Sequence, residues 1–151
     1  MRSSRQIFLW ILNELSAGSG KARVGEKTPG HWAFTDRLLE WFPEAKFIHV
    51  HKDPRDVVAS LRDQYWWVPK SALSSAMYCR TALEQLSLIG RRLGTVRFLD
   101  LRYETLMRHP EAELRRTCAF LGEDFQPGML RFYERGQRGY LEVEEDRKGR
   151  A

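Results

Sequence analysis

Residues 47–61, FIHVHKDPRDVVASL, decide the fold of this chain. The apolar and aromatic run KFIHVH at 46–51 is bounded by turn-forming residues and predicts a β-strand. Asp53 and Pro54 then predict a helix start, because aspartate is a good N-cap and proline suits the first helical position. We expect that helix to run to about Trp67. A strand that passes directly into a helix is typical of α/β domains.

The rest of the chain continues this alternation of helices and strands. Helical spacing of apolar residues and turn signals predict helices at 3–16, 32–41, 71–92, 110–121 and, shorter, 127–135. Strands are predicted at 95–101, TVRFLDL, and at the start of VGEKTPGH (24–31), where a short strand runs into a loop at Pro29 and Gly30. Helices of this length between strands imply right-handed crossovers and a parallel sheet flanked by helices. The sequence therefore predicts a single α/β domain over 1–151, with a flexible charged tail at 142–151.

Composition limits the class of protein. The chain has 151 residues, of which 42% are hydrophobic and 30% charged, and this balance indicates a folded, soluble domain with a core. The formal charge of +5 favours an anionic ligand, although ordinary domains of this charge are common. Cys79 and Cys118 show no metal-binding spacing, which favours a reduced, intracellular protein without a zinc site.

The apolar run near the N-terminus is not predicted to be a membrane segment. IFLWIL at 7–12 is too short to span a bilayer, and nothing after it resembles a signal cleavage site. We expect a cytoplasmic protein with no membrane and no nucleic-acid partner.

The segment GSGKA at 18–22 resembles the end of a phosphate-binding loop. The full motif would need glycine at position 15 and serine or threonine at position 22, where the chain has Leu15 and Ala22. The segment also follows a helix, whereas the motif follows a strand. We interpret it as a turn. A kinase-like P-loop protein is disfavoured for the same reason, since no phosphate-binding lysine or magnesium-binding hydroxyl can be placed.

Polar residues cluster where two predicted strands end, at GEKTPGH and HKDPRD. Ligands of parallel sheets bind beyond the carboxyl ends of the strands. Lys52 and the first N–H groups of the following helix form a candidate anion site, and Ser60 lies on the helix face of Asp53 (i, i+7). The alternative is that Asp53 caps the helix while Lys52, Arg55, Asp56 and Ser60 have no ligand.

The second cluster offers groups for proton transfer. Glu26 could take a proton from an acceptor hydroxyl or amine, and Lys27 could neutralise charge on a bridging oxygen. His31 is a rival base, because imidazole exchanges protons near neutral pH. The alternatives are a surface ion pair between Glu26 and Lys27, and a structural histidine near the start of a helix.

The chain resembles a known protein family in three blocks of sequence: VGEKTPGH at 24–31, FPEAKFIHVHKDPRDVVASL at 42–61 and LRYETLMRHPEAELRRTCAFLGEDF at 101–125. Their order and spacing resemble the sulfotransferases that use 3′-phosphoadenosine 5′-phosphosulfate (PAPS), over about residues 22 to 125. The resemblance implies a P-loop NTPase-like sulfotransferase fold, with PAPS as sulfuryl donor and no metal.

The resemblance also implies roles for individual residues. Lys52 and Ser60 would bind the 3′-phosphate of the donor. Glu26 would be the base and Lys27 a contact of the leaving group or the sulfuryl group. The YExL turn at Tyr103 and Glu104 would be structural.

The chain departs from the family pattern in two places. Lys52 stands where the family usually has arginine, which keeps the charge but loses bidentate binding. Nothing in MRSSRQIFLW at 1–10 corresponds to the strand and glycine-rich loop that hold the 5′-phosphosulfate in the family, so we expect an N-terminally incomplete sheet. The alternatives for such a sheet are homodimerisation through its exposed edge, exchange of elements between chains, low stability, or membership of a longer protein.

Two functions follow from these patterns. The first is a sulfotransferase, or a fragment of one, acting on a hydroxyl or amine of an unidentified small-molecule, glycan or peptide acceptor. The second is a non-catalytic nucleotide-binding or interaction module derived from the same fold. The aromatic cluster Tyr65, Trp66 and Trp67 would line the acceptor pocket or, alternatively, pack as a buried helix end.

Overall fold

The computed structural model describes residues 3–17, 23–64, 71–131 and 134. Its elements, in chain order, are helix α1 (Ser4–Ala17), a 3₁₀ helix (Pro29–Phe34), α2 (Thr35–Trp41), strand β1 (Phe47–His51), α3 (Pro54–Gln64), α4 (Ala72–Arg97), β2 (Phe98–Arg102), α5 (Tyr103–Arg108), α6 (Pro110–Leu121) and a second 3₁₀ helix (Pro127–Arg131). The predictions for residues 18–22, for Tyr65, Trp66 and Trp67, and for the tail at 142–151 lie outside the described residues.

Within the described residues, β1 and β2 form a parallel pair, so the predicted parallel sheet is confirmed. His49 lies opposite Asp100 in this register, and Ile48 lies opposite Leu99. Because side chains alternate along a strand, the two strands share one face that carries the histidines and another that carries the aliphatic residues. On the aliphatic face Leu99 is buried while Ile48 is 38% exposed.

The C-terminal end of helix α6 is bonded to residues that lie far from it in the chain. The helix ends at Gly122, which has a left-handed conformation (φ 77°), as the sequence predicts. The last carbonyl oxygens of α6 accept hydrogen bonds from distant cations: Lys46 Nζ donates to Phe120 (2.6 Å) and Arg23 Nη1 to Leu121 (2.6 Å). These bonds connect the start of β1 and the segment before the first 3₁₀ helix to α6.

Helix α4 is longer than predicted and contains a break. The sequence predicts a helix over 71–92, and the helix extends to Arg97 with a non-helical residue, Gly94 (φ 65°, ψ −179°), near its end. The N–H of Phe98 then bonds the Gly94 carbonyl, and β2 begins. Ser71 caps the other end, since its hydroxyl accepts from the Ser74 N–H at 3.1 Å.

The short strand predicted at the start of VGEKTPGH, before Pro29, is wrong. Residues 23–28 have no regular structure, and Pro29–Phe34 form the 3₁₀ helix. The loop expected at Pro29 and Gly30 is instead the start of this 3₁₀ helix, because proline suits the first helical position. Helix α2 consequently begins at Thr35 rather than at Trp32. The helix predicted over 127–135 is likewise a 3₁₀ helix, Pro127–Arg131, as far as the described residues extend.

No helix in the part of the chain that the structure describes combines the length and the apolar character needed to cross a bilayer.

Candidate active site

The turn between β1 and α3 is organised by Asp53. Its Oδ1 accepts the Arg55 backbone N–H at 2.9 Å, so the predicted helix cap is confirmed. The Arg55 guanidinium also binds the same carboxylate, with Nη2 2.7 Å from Oδ2. These hydrogen bonds from Arg55 hold the pKa of Asp53 well below its ordinary value. The side chain of Arg55 is nevertheless 90% exposed.

Glu104 binds the same turn from the end of β2. Its Oε1 accepts the Asp53 backbone N–H at 2.8 Å, and its Oε2 accepts from Arg102 Nε at 2.9 Å. The hydrogen bond from the Asp53 backbone is the main cause that lowers the pKa of Glu104. A carboxylate of the protein therefore lies at the N-terminus of α3, where the helix dipole favours negative charge.

The first N–H groups of α3 are consequently engaged within the chain. The Asp56 and Val57 N–H groups bond the Asp53 carbonyl at 3.0 and 3.1 Å, in addition to the two N–H bonds already described. The expected contribution of these backbone groups to an anion site is therefore not available in this structure.

The side chains of Lys52 and Ser60 remain for an anionic ligand. Both residues are half-buried, Lys52 directly after β1 and Ser60 two turns into α3. Neither has an ion pair or side-chain hydrogen bond with any other residue in the described ranges. Asp53 and Arg55, in contrast, form an ion pair with each other.

Glu26 and His31, the two rival bases, lie in direct contact. His31 Nδ1 is 2.7 Å from Glu26 Oε2, and the two side chains are 30% and 29% exposed. Thr28 Oγ1 donates to the other carboxylate oxygen of Glu26 at 2.5 Å. The 3₁₀ turn produces this contact, since the His31 N–H bonds the Thr28 carbonyl at 3.1 Å.

Lys27, in contrast, is exposed. It forms no ion pair with Glu26 or with another residue among those described, so the alternative of a Glu26–Lys27 surface pair is not found. Thr28 is the residue that the sequence reasoning missed at this site. Its position two residues after a candidate carboxylate was the available signal, since threonine side chains commonly bond neighbouring groups.

An apolar cavity of about 320 Å³ lies beside this pair. It is lined chiefly by Phe8, Thr28, His31, Phe34, Leu38 and Trp41. The Phe8 ring contacts the His31 ring edge-on, with centroids 6.2 Å apart. A second cavity of about 500 Å³, between the 3₁₀ helix and α4, includes none of the predicted site residues.

The fold and these residues define a class of protein. A parallel strand–helix unit with polar groups beyond the carboxyl end of its strand is the arrangement of an α/β domain that binds ligands at that edge of the sheet. A family model described as the sulfotransferase family matches residues 4–127. The chain belongs to the sulfotransferase family, as its sequence motifs indicate.

Curated relatives share this family with the chain. It is 29% identical over 147 residues to the nodulation protein NoeE of Sinorhizobium fredii, covering 84% of this chain and 34% of that protein. It is 34% identical over 116 residues to an omega-hydroxy-beta-dihydromenaquinone-9 sulfotransferase of Mycobacterium bovis, covering 64% of this chain and 28% of that protein. The chain therefore spans about a third of the length of these relatives.

Solved sulfotransferase domains have the same fold. The sulfotransferase domain of the Synechococcus PCC 7002 olefin synthase superposes with a TM-score of 0.65 at 28% identity, over 81% of this chain and 43% of that domain's chain. The sulfotransferase domain of the curacin biosynthetic pathway superposes with a TM-score of 0.66 at 19% identity, over 82% of this chain and 45% of the other. The predicted α/β sulfotransferase fold is thereby confirmed.

Proposed function

We propose that this chain transfers a sulfuryl group from PAPS to a hydroxyl or amine of an acceptor. The observation that carries the proposal is the contact between Glu26 and His31, 2.7 Å long, in the segment that resembles the catalytic region of the family. A carboxylate that binds one imidazole nitrogen orients the ring and supports it as a base. Family membership supports the reaction class.

The residues present fit one end of the donor. A 3′-phosphate needs a cation and hydrogen-bond donors, and Lys52 and Ser60 provide an ammonium and a hydroxyl that are not otherwise engaged within the described residues. PAPS, when bound, supplies the sulfuryl group and leaves as adenosine 3′,5′-bisphosphate.

Glu26 and His31 would move the acceptor's proton. With His31 Nδ1–H donating to Glu26, its Nε2 is free to accept the proton from the acceptor oxygen or nitrogen as that atom bonds to sulfur. Lys27 would donate to the bridging oxygen as its bond to sulfur breaks and negative charge develops there. The apolar cavity next to His31 supports an acceptor with an aliphatic or aromatic body at this place.

A binding and turnover experiment tests the proposal. Adenosine 3′,5′-bisphosphate binding is measured by calorimetry, and transfer is measured with radiolabelled PAPS and a panel of phenols, alcohols and amines. We expect Lys52→Ala to weaken binding by about tenfold or more, since hydrogen bonds to charged groups contribute about 1.5–3 kcal/mol. Arg91→Ala is the control, because it removes a positive charge from an exposed position of α4 that has no ion pair within the described residues, and it should leave binding unchanged.

The outcomes separate the two functions. Binding together with transfer supports the sulfotransferase. Binding without transfer to any acceptor would favour the non-catalytic nucleotide-binding module. No binding at millimolar ligand, with Lys52→Ala equal to wild type, would overturn both. A cytoplasmic location is part of the proposal and is supported by two free, buried thiols, Cys79 and Cys118.

A further inference from the structure

Two histidines and an aspartate meet on one face of the β1–β2 pair, and none of the three has a role in the proposed reaction, although His51 directly precedes Lys52. His49 and His51 alternate along β1, so both point to the same face. The parallel register places Asp100 of β2 opposite His49. Asp100 Oδ1 is 2.9 Å from His49 Nδ1 and 3.0 Å from His51 Nδ1. A single carboxylate oxygen thus contacts both imidazoles.

The three side chains differ in their access to solvent. His49 is 15% exposed and His51 27%, whereas Asp100 is 59% exposed. The two imidazole rings lie with centroids 5.1 Å apart, and the Phe98 ring packs at 6.1 Å from His49. The imidazoles are therefore held by neighbouring rings, while the carboxylate side of the cluster is open to water.

We propose that His49, His51 and Asp100 form a binding site for a divalent transition-metal ion, with Zn²⁺ as the ion that fits best. The three ligand atoms lie within 4.8 Å of one another. In a tetrahedral site with metal–ligand distances near 2.0–2.1 Å, ligand atoms lie about 3.3 Å apart, so small side-chain shifts suffice. Two imidazoles and one carboxylate, with an open position for water, form a common donor set for zinc.

The chemistry of the donor atoms fits this ligand set. A metal at Nδ1 requires the proton of the imidazole to lie on Nε2, and a carboxylate binds a metal in its ionised form. Magnesium and calcium are disfavoured, since they prefer oxygen ligands to imidazole nitrogen. The alternative is that the cluster is only a hydrogen-bonded connection between two strands, and the experiment distinguishes the two.

Metal binding by the tag-free, chelator-treated chain tests the proposal. Zn²⁺ is titrated by calorimetry, and Co²⁺ is added as a visible probe whose absorption reports tetrahedral coordination. We expect one ion per chain, with His49→Ala and His51→Ala each weakening binding by at least about tenfold. His109→Ala is the matched control, because His109 lies outside the cluster at the start of α6 and should leave binding unchanged.

Asp100→Asn keeps the proposal testable if a histidine variant fails to fold. The amide oxygen can still accept the two hydrogen bonds at this exposed position, so the fold should be retained while the charged metal ligand is lost. Weaker Zn²⁺ binding and loss of the Co²⁺ absorption bands in this variant would support the site. No binding by wild type at millimolar Zn²⁺, or binding unchanged in Asp100→Asn and both histidine variants, would overturn it.

Discussion

At the residue scale, Glu26 and His31 are in contact, although the sequence presents them as alternative candidates for the catalytic base. Each has the chemistry of a base, and their separation of 2.7 Å makes them a pair in which the carboxylate orients the imidazole. Thr28 binds the second oxygen of Glu26, so both oxygens of this carboxylate have partners.

The first prediction concerns this pair. His31→Ala is expected to lower the turnover rate by about 10²-fold or more, because general base catalysis contributes about 10²–10⁴-fold. Glu26→Gln should lower it less, since an amide can still accept the Nδ1–H hydrogen bond. Affinity for adenosine 3′,5′-bisphosphate should be unchanged in both, as measured by calorimetry. His109→Ala serves as control, and full activity of His31→Ala would contradict the assignment.

The second prediction concerns Glu104. Because its pKa is lowered in the folded chain, its ionised form stabilises the fold at pH values above the unfolded pKa of about 4.3, and this contribution is lost as the pH falls through the folded value. Glu104→Gln should therefore be less stable than wild type at pH 7, and the difference should shrink between pH 5 and pH 3. Urea unfolding at these pH values measures it.

Glu44→Gln is the control for this series. Glu44 is exposed and has no ion pair with another residue in the described ranges, so its replacement should give no pH-dependent difference from wild type. A stability difference for Glu104→Gln that is the same at pH 7 and pH 3 would rule out the proposed role of the Asp53 N–H bond.

At the scale of elements, the starts and ends of helices follow local chemistry where one residue type suffices. Asp53 caps α3 and Gly122 terminates α6, and both are predicted by residue preferences alone. The 3₁₀ helix is not predicted, because Pro29 and Gly30 suit an irregular loop as well as a 3₁₀ turn. The short strand expected before Pro29 would need a pairing partner, and the structure describes none for residues 23–28.

The third prediction concerns the break in α4. Gly94 has φ 65° and ψ −179°, a region that is essentially limited to glycine, whereas Gly122 has φ 77° and ψ 36°, which asparagine tolerates. We expect Gly94→Asn to destabilise the chain by about 1–3 kcal/mol and Gly122→Asn by clearly less. Chemical unfolding of the two variants measures this. Equal losses would show that the break is not held in the folded chain.

At the scale of the whole molecule, the sheet is covered unevenly. Leu99 and Leu101 of β2 are buried, but Ile48 and Val50, on the same face of β1, are 38% and 54% exposed. Within the described residues β1 pairs only with β2, so its other edge offers unpaired backbone groups. A homodimer through this edge stays a prediction.

The fourth prediction tests self-association through β1. Ile48→Thr combined with Val50→Thr keeps β-branched residues on the strand and removes apolar surface, so it should weaken a dimer that uses this part of the sheet. Sedimentation velocity over a range of concentrations measures the association. Val96→Thr is the control, because Val96 is 75% exposed outside the sheet. A monomer at all concentrations, or an association that the paired substitution leaves unchanged, would contradict the prediction.

The sequence by itself determines the β1–α3 unit, the parallel arrangement and the sulfotransferase family. Each of these depends on short-range patterns: an apolar strand, the Asp53–Pro54 helix start and motifs in a fixed order. Lys52 and Ser60 were identified in the same way and stay predictions, since their test needs the ligand.

Only the tertiary structure decides which distant groups meet. Glu104 binds the Asp53 N–H because β2 ends beside the start of α3, and this contact occupies the helix N-terminus that the sequence leaves for an anion. Asp100 meets His49 and His51 because of the strand register, which sequence spacing does not specify. Contacts of this kind depend on the relative positions of strands far apart in the chain, so local residue preferences cannot predict them.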